Sequence, residues 1–238
     1  MAERTEHGLT RRELFKVGGA TFAGYALAAD TVLAQAVKTD TDGLVAGDSQ
    51  VQVGTHTMAV YEARPATGQN HPIVLVISEI FGVHEYIRDS TRRFAKEGFY
   101  AVAPELFGRE GGVGHLTDIQ AILKIVSAQP REQMLGDLAA AITWAKTRPG
   151  VKADRVGATG WCWGGSTTMQ VAAANPDVKA AVAWYGNPNR AYQGASGGVT
   201  GFDVAKDIKV PLLGLFGETD KGPAPEDARK FMEMVSLA

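Results

Sequence analysis

RVGATGWCWGGSTTMQ, residues 155–170, holds the only cysteine of the chain, Cys162, between two tryptophans and a run of glycines. Its opening, DRVGATG from residue 154, reads as a short apolar strand, and STTMQVAAANP from residue 166 as a small-residue helix closed by Pro176. Cys162 therefore falls on the turn between them. The spacing Gly160-x-Cys162-x-Gly164 is that of a nucleophile elbow with sulfur in place of oxygen. A sharp strand-to-helix turn strains the backbone of its central residue, and bulky side chains two positions to either side would collide with neighbouring backbone. The N-terminus of the following helix is expected to favour a thiolate and the oxyanion of an acyl-transfer intermediate. The alternative is that Cys162 is a small buried hydrophobe, the common fate of a free cysteine.

Outward from the turn, short apolar runs alternate with helical patterns. HPIVLVISEIFG (71–82) reads as a buried strand, HEYIRDSTRRFAKEG (84–98) as a helix stopped by Gly98, and FYAVAPELFG (99–108) as a second strand. Residues 115–147 hold two helical stretches separated near Gln129-Pro130. VKAAVAWYG (178–186) and VPLLGLFGETD (210–220) are further strands, joined through a Gly- and Asn-rich loop at 186–201, and PEDARKFMEMVSLA (225–238) closes as a helix. Before them, VQVGTHTMAVYEARP (51–65) alternates around Gly54 as a hairpin. This order predicts one α/β domain over residues 51–238, an open and mostly parallel sheet covered on both faces by helices.

The chain has 238 residues, a formal net charge of -2, 45% hydrophobic and 21% charged content, which suits one sizeable core. Lys and Arg are scattered, so neither a nucleic-acid footprint nor a polybasic membrane patch is expected, and a small-molecule partner is. One cysteine excludes an intramolecular disulfide, and no CxxC or Cys/His cluster suggests a structural metal.

The first 36 residues differ in kind. Thr10, Arg11, Arg12 and Lys16 precede a weakly apolar, Gly- and Ala-rich run ending at Ala34-Gln35-Ala36. The run is too short and too small-residued for a stable membrane span, and A-x-A fits signal-peptidase cleavage after Ala36. The paired arginines resemble a twin-arginine signal, with Leu14-Phe15 a mild departure from the usual order. Export already folded, to the periplasm, is the expectation, with the export machinery as a partner. A flexible lead-in is expected over residues 37–50.

In a sheet of this kind reactive groups gather at the carboxyl ends of strands. Glu79, Cys162 and Asp220 each follow a strand. Read alone, Glu79 could cap the next helix and Asp220 could serve its Gly-Pro turn.

SEIFGVHEYIRDSTRRFAKEGFYAVAPELFGR (78–109), GATGWCWGGSTT (157–168), AVAWYG (181–186) and LLGLFGETD (212–220) together resemble the dienelactone hydrolase family of α/β-hydrolases, over about residues 50–230. The resemblance implies a Cys-His-Asp triad acting on an activated ester or lactone, without a cofactor or metal. Cys162 is then the nucleophile, Asp220 orients the histidine, and Glu79 contacts the resting thiol and takes part in its activation. By the same match the N–H groups of Ile80 and Trp163 form the oxyanion hole. Arg109 is a candidate for binding a substrate carboxylate, in a segment that does not align clearly with the family. Trp161 and Trp163 read as pocket walls or packing.

In the α/β-hydrolase order the histidine comes last, yet His7, His56, His71, His84 and His115 all precede Cys162. His56 and His71 read as surface residues and His115 as the opening of a helix. His84, in the loop after Glu79, is the one able to approach Cys162. The expectation is a chain lacking the last strand, histidine loop and final helix, with impaired activity and an uncovered apolar sheet edge at residues 210–217. A general carboxylesterase and a catalytically degenerate binding protein are the competing readings.

Overall fold

The computed structural model describes residues 38–194 and 197–238. The expected export signal lies outside the described residues.

Among the described residues, seven strands form one sheet, in the order β1 (Leu44–Val53), β2 (His56–Pro65), β4 (Tyr100–Pro104), β3 (His71–Ile77), β5 (Val151–Trp161), β6 (Val178–Trp184) and β9 (Leu212–Leu215). β1 and β2 pair antiparallel across the Gly54 turn, residue for residue from Val53 opposite His56 to Leu44 opposite Pro65. β2 also runs antiparallel to β4. From β4 onward, β3, β5, β6 and β9 are all parallel. Every residue of β4 and all but Pro72 of β3 are buried, because helices cover both faces at the centre of the sheet.

Between the strands run α1 (Glu85–Lys96), α2 (Ile119–Ala128), α3 (Arg131–Lys146), α4 (Trp163–Ala174), the single turn α5 (Gly201–Val204) and α6 (Pro225–Ser236). α4 is central to the rest. Residues Trp163 to Ala172 are all buried, and its hydroxyls are satisfied internally: Thr168 donates to the Gly164 carbonyl at 2.8 Å, Ser166 to that of Asn187 at 3.1 Å, and Thr167 bonds Tyr192 at 2.8 Å. Its Ser and Thr hydroxyls let this helix lie close to the sheet while keeping their own hydrogen bonds, whereas the buried Gln170 amide nitrogen has no partner.

Four expectations change. Residues 44–50, expected to be flexible, form most of β1, because an edge strand can carry polar side chains on both faces and so loses the alternation that marks a strand. His71 is buried in the first position of β3, with Nδ1 2.9 Å from the Gly98 carbonyl. His115 lies in the turn before α2, whose N-cap is Asp118, accepting from the Gln120 N–H. The 186–201 loop contains a small hairpin, β7 (Tyr192–Gly194) and β8 (Gly197–Val199).

Candidate active site

β3 sends the chain to β4 on one side, and β5 lies on its other side, so the order of the sheet reverses there. Glu79 and Cys162 follow these two neighbouring strands at the crevice where ligands of open α/β sheets bind.

Cys162 takes φ 54° and ψ −114°, a left-handed conformation rare for a residue with a side chain. Two backbone hydrogen bonds hold it there. Its N–H donates to the Trp184 carbonyl at 3.0 Å, and its own carbonyl accepts the Ser166 N–H at 3.0 Å, the first bond of α4. Around it, a Cβ on Gly160 would overlap the Gly164 carbonyl, and one on Gly164 would overlap the carbonyls of Ile77 and Ser78. The two glycines therefore let α4 descend against the end of β3 directly below the nucleophile.

Neighbouring strands supply the walls. Tyr185, itself at φ 39°, donates its N–H to the Leu215 carbonyl at 2.7 Å, which seats the end of β6 beside the end of β9. A cavity of about 430 Å³ opens here, lined by Cys162, Tyr185, Leu215, Phe216, Gly217, Asp220 and Gly222. The predicted nucleophile and the predicted acid thus share one pocket. Asp220 is exposed, and its N–H closes a turn on the Gly217 carbonyl at 3.3 Å.

Glu79 approaches from the β3 side. It is only 7% exposed and accepts from His84 Nε2 at 3.1 Å. The charges of both Glu79 and Asp220 reach Cys162. Burial pushes the Cys162 thiol above its ordinary value; Arg190 and the Trp163 N–H pull it down, while Glu79 and Asp220 push it up. As expected, the Trp163 amide at the helix N-terminus favours the thiolate, but desolvation is the larger cause and the net shift of the thiol is upward.

A model of the dienelactone hydrolase family matches residues 58–237. The chain belongs to the dienelactone hydrolase family. Among its relatives, a Methylorubrum extorquens protein named "Putative carboxymethylenebutenolidase" is 45% identical over 219 residues, covering 90% of this chain and 73% of that one. An Escherichia coli K12 protein of the same name is 39% identical, covering 91% and 80%. A crystal structure from Klebsiella pneumoniae described as a "Putative Dienelactone Hydrolase" superposes with a TM-score of 0.75 at 40% identity, over 82% of this chain and 81% of that one. The fold is that of the α/β-hydrolases and the chemistry of the family is carboxylic ester hydrolysis.

Against this dienelactone hydrolase framework the remaining expectations can be placed. Ile80 is buried after β3, and the Trp163 N–H, first in α4 and so without an intrahelical acceptor, lies against the thiol. The indoles of Trp161 and Trp163 do not line the cavity. Trp161 stacks on Trp184 with centroids 6.0 Å apart, and Trp163 packs into the core against Phe107 and Tyr192. Arg109 is paired with buried Asp137 on α3, its Nη2 2.5 Å from that carboxylate, and is not among the residues that line the cavity.

Arg190 was not foreseen. It sits in the loop after β6, half-buried, and its charge reaches both Cys162 and the Tyr192 hydroxyl. A Gly- and Asn-rich loop gives no sign of where such a side chain will land. Among the described residues no histidine bonds Asp220, no group of three His, Cys, Asp or Glu is disposed to hold a metal ion, and no helix is long and apolar enough to cross a membrane.

Proposed function

We propose that this protein is a cysteine-dependent hydrolase of activated lactones or small esters, of the carboxymethylenebutenolidase type that its relatives' names describe. The observation that supports it most is the left-handed Cys162 at the floor of a pocket shared with Asp220, next to the strand end that bears Glu79.

The chemistry follows from the neutral thiol. Glu79 accepts the S–H proton as the sulfur attacks the acyl carbon; the S–C bond forms, the C–O bond to the leaving group breaks, and that oxygen departs with the electron pair. Enolate-like leaving groups suit a thiolate because they need little protonation. The N–H groups of Ile80 and Trp163 receive the oxyanion. Water then cleaves the thioester: its oxygen bonds to the acyl carbon as it gives up a proton, the C–S bond breaks, and the sulfur recovers its proton from Glu79, with Asp220 placed as the acid that would orient a histidine base for this step.

A binding role is the second reading, favoured because no described histidine bonds Asp220. The same observation motivates the proposal that hydrolysis by this 238-residue chain is impaired at deacylation. Mixing the protein with p-nitrophenyl acetate separates these readings. The hydrolase reading expects a burst of one p-nitrophenolate per Cys162, slow turnover after it, and no burst from Cys162→Ala. Absence of a burst from the unaltered chain overturns the hydrolase reading in favour of binding, and turnover as fast as the burst overturns the impairment.

Residues 1–36 are proposed as a twin-arginine export signal that delivers the folded enzyme to the periplasm. Replacing Arg11 and Arg12 together with Lys is expected to retain the protein in the cytoplasm; unchanged periplasmic recovery would overturn the assignment.

A further inference from the structure

His84 occupies the N-cap of α1, where Ser, Thr, Asp and Asn serve best, and its side chain makes no capping bond. Its imidazole turns instead to the end of β3, with Nε2 3.1 Å from Glu79 Oε2 and both side chains largely buried. Nδ1 is buried and has no hydrogen-bond partner. Only the Nε2 position offers a ring proton an acceptor, so the ring faces the carboxylate as an Nε2–H donor.

The ring is fixed from every side. Tyr86 stacks on it with centroids 6.3 Å apart and planes 20° from parallel, while Phe81 meets it edge-on at 6.3 Å. The backbone beneath is tied as well. Glu105, after β4, accepts the Val83 N–H at 2.9 Å, and the Arg88 N–H closes the first turn of α1 on the His84 carbonyl at 3.0 Å. So rigid a donor leaves Glu79 little freedom: Oε2 is engaged, and Oε1 has no hydrogen-bond partner among the described residues.

We propose that His84 is a positioning residue for thiol activation, whose Nε2–H pins one oxygen of Glu79 so that the other is presented to receive the Cys162 proton. This rests on the reading of Glu79 as the proton acceptor. In the acylation step the S–H bond breaks, its proton passes to Glu79 Oε1, and the electron pair left on sulfur forms the S–C bond as p-nitrophenolate leaves with the C–O pair. His84 neither gains nor loses a proton in that step.

The test is a double-mutant cycle on the burst rate with p-nitrophenyl acetate, with far-UV circular dichroism confirming each fold. A displaced acceptor typically slows proton transfer by tenfold to about a hundredfold. His84→Ala is expected to slow the burst by about that factor, and His84→Gln, whose amide can donate in the same direction, to restore it to within about threefold. In a Glu79→Gln background, His84→Ala is expected to change nothing further, because the residue acts only through that carboxylate. If Glu79→Gln leaves the burst intact, the proton-acceptor reading fails and takes this inference with it. If Glu79→Gln slows the burst but His84→Ala does not, the inference alone is overturned. If His84→Ala slows both backgrounds equally, or His84→Gln fails to restore the rate, His84 is structural and the inference is overturned.

Discussion

The amide of Cys162 donates to the carbonyl of Trp184 at 3.0 Å, across the gap between the ends of β5 and β6. That bond joins the nucleophile to a neighbouring strand just where its own backbone turns left-handed. The thiol is thus placed by main-chain geometry, and its protonation is biased by burial, by the Trp163 amide and by the charged side chains around it. Replacing the thiol should remove chemistry while sparing structure. Cys162→Ser is expected to fold normally, to melt within about 1 kcal/mol of the parent as conservative substitutions do, and to give no acyl-enzyme. Intact-protein mass spectrometry after exposure to an activated ester checks this; an acetyl adduct on Cys162→Ser at another residue would move the nucleophile elsewhere.

The charges around the thiol have opposite signs, so their removal should shift its titration in opposite directions. Burial raises the thiol first, Arg190 lowers it, and Glu79 and Asp220 raise it. The alkaline limb of iodoacetamide labelling is expected to lie above that of an ordinary cysteine, since the folded site prefers the protonated form. Arg190→Gln should move it higher still, because the thiolate loses a favourable charge. Asp220→Asn should move it lower by removing a repulsive one. Labelling that follows a free cysteine in all three proteins would show that these groups do not reach the sulfur.

Much of this was legible beforehand, and the limits were physical. The buried strands announce themselves as apolar runs because helices cover them on both faces, and the elbow announces itself because two glycines must stand two residues from Cys162. β1 hid because an edge strand needs no apolar face on either side. The pull of the Trp163 amide on the thiol can be read from a motif, whereas the larger, opposing effect of desolvation depends on what the whole fold packs over it. Arg190 and the bond from His84 to Glu79 depend on how two loops settle over strand ends, and no periodicity records that. Arg109 shows the converse error, a charged residue near the right segment that an interior partner, Asp137, had already claimed.

Tyr192 supports the elbow from below. Its buried hydroxyl lies 2.8 Å from Thr167 Oγ1 and donates to the Trp163 carbonyl at 3.1 Å, and burial holds it protonated far above the usual phenol range. Tyr192→Phe keeps the ring but leaves Thr167 only its weak bond to the Met134 sulfur at 3.6 Å and takes the donor from the Trp163 carbonyl, which should destabilise the fold by about 1–2 kcal/mol. A urea melt measures this. An unchanged midpoint would mean that the Thr167 hydroxyl finds another acceptor along α4, as Thr168 does.

Among the described residues β9 is the last strand of the sheet, and its Leu213 is 53% exposed. An open apolar strand edge templates pairing with another chain, and a lysine there opposes it. Leu213→Lys is expected to reduce concentration-dependent light scattering without altering the burst with an activated ester. Equal scattering from both proteins would place self-association elsewhere.

Gly164 offers the most direct test of the elbow itself. Its φ is ordinary, so an alanine there meets no conformational penalty, and any effect arises from space alone. The space is closed by the carbonyls of Ile77 and Ser78, backbone atoms at the end of β3 that cannot rotate aside as a side chain can. Gly164→Ala must therefore push α4 away from the sheet, and overpacking of this kind costs about 1–3 kcal/mol. Because α4 begins at Trp163, the same displacement withdraws the Trp163 N–H from the thiol, and acylation should fall together with stability. Urea unfolding and burst kinetics on one preparation measure both. A fall in stability with the burst rate intact would show that the descent of α4 serves packing only, and that the amide at its first residue has no part in the chemistry.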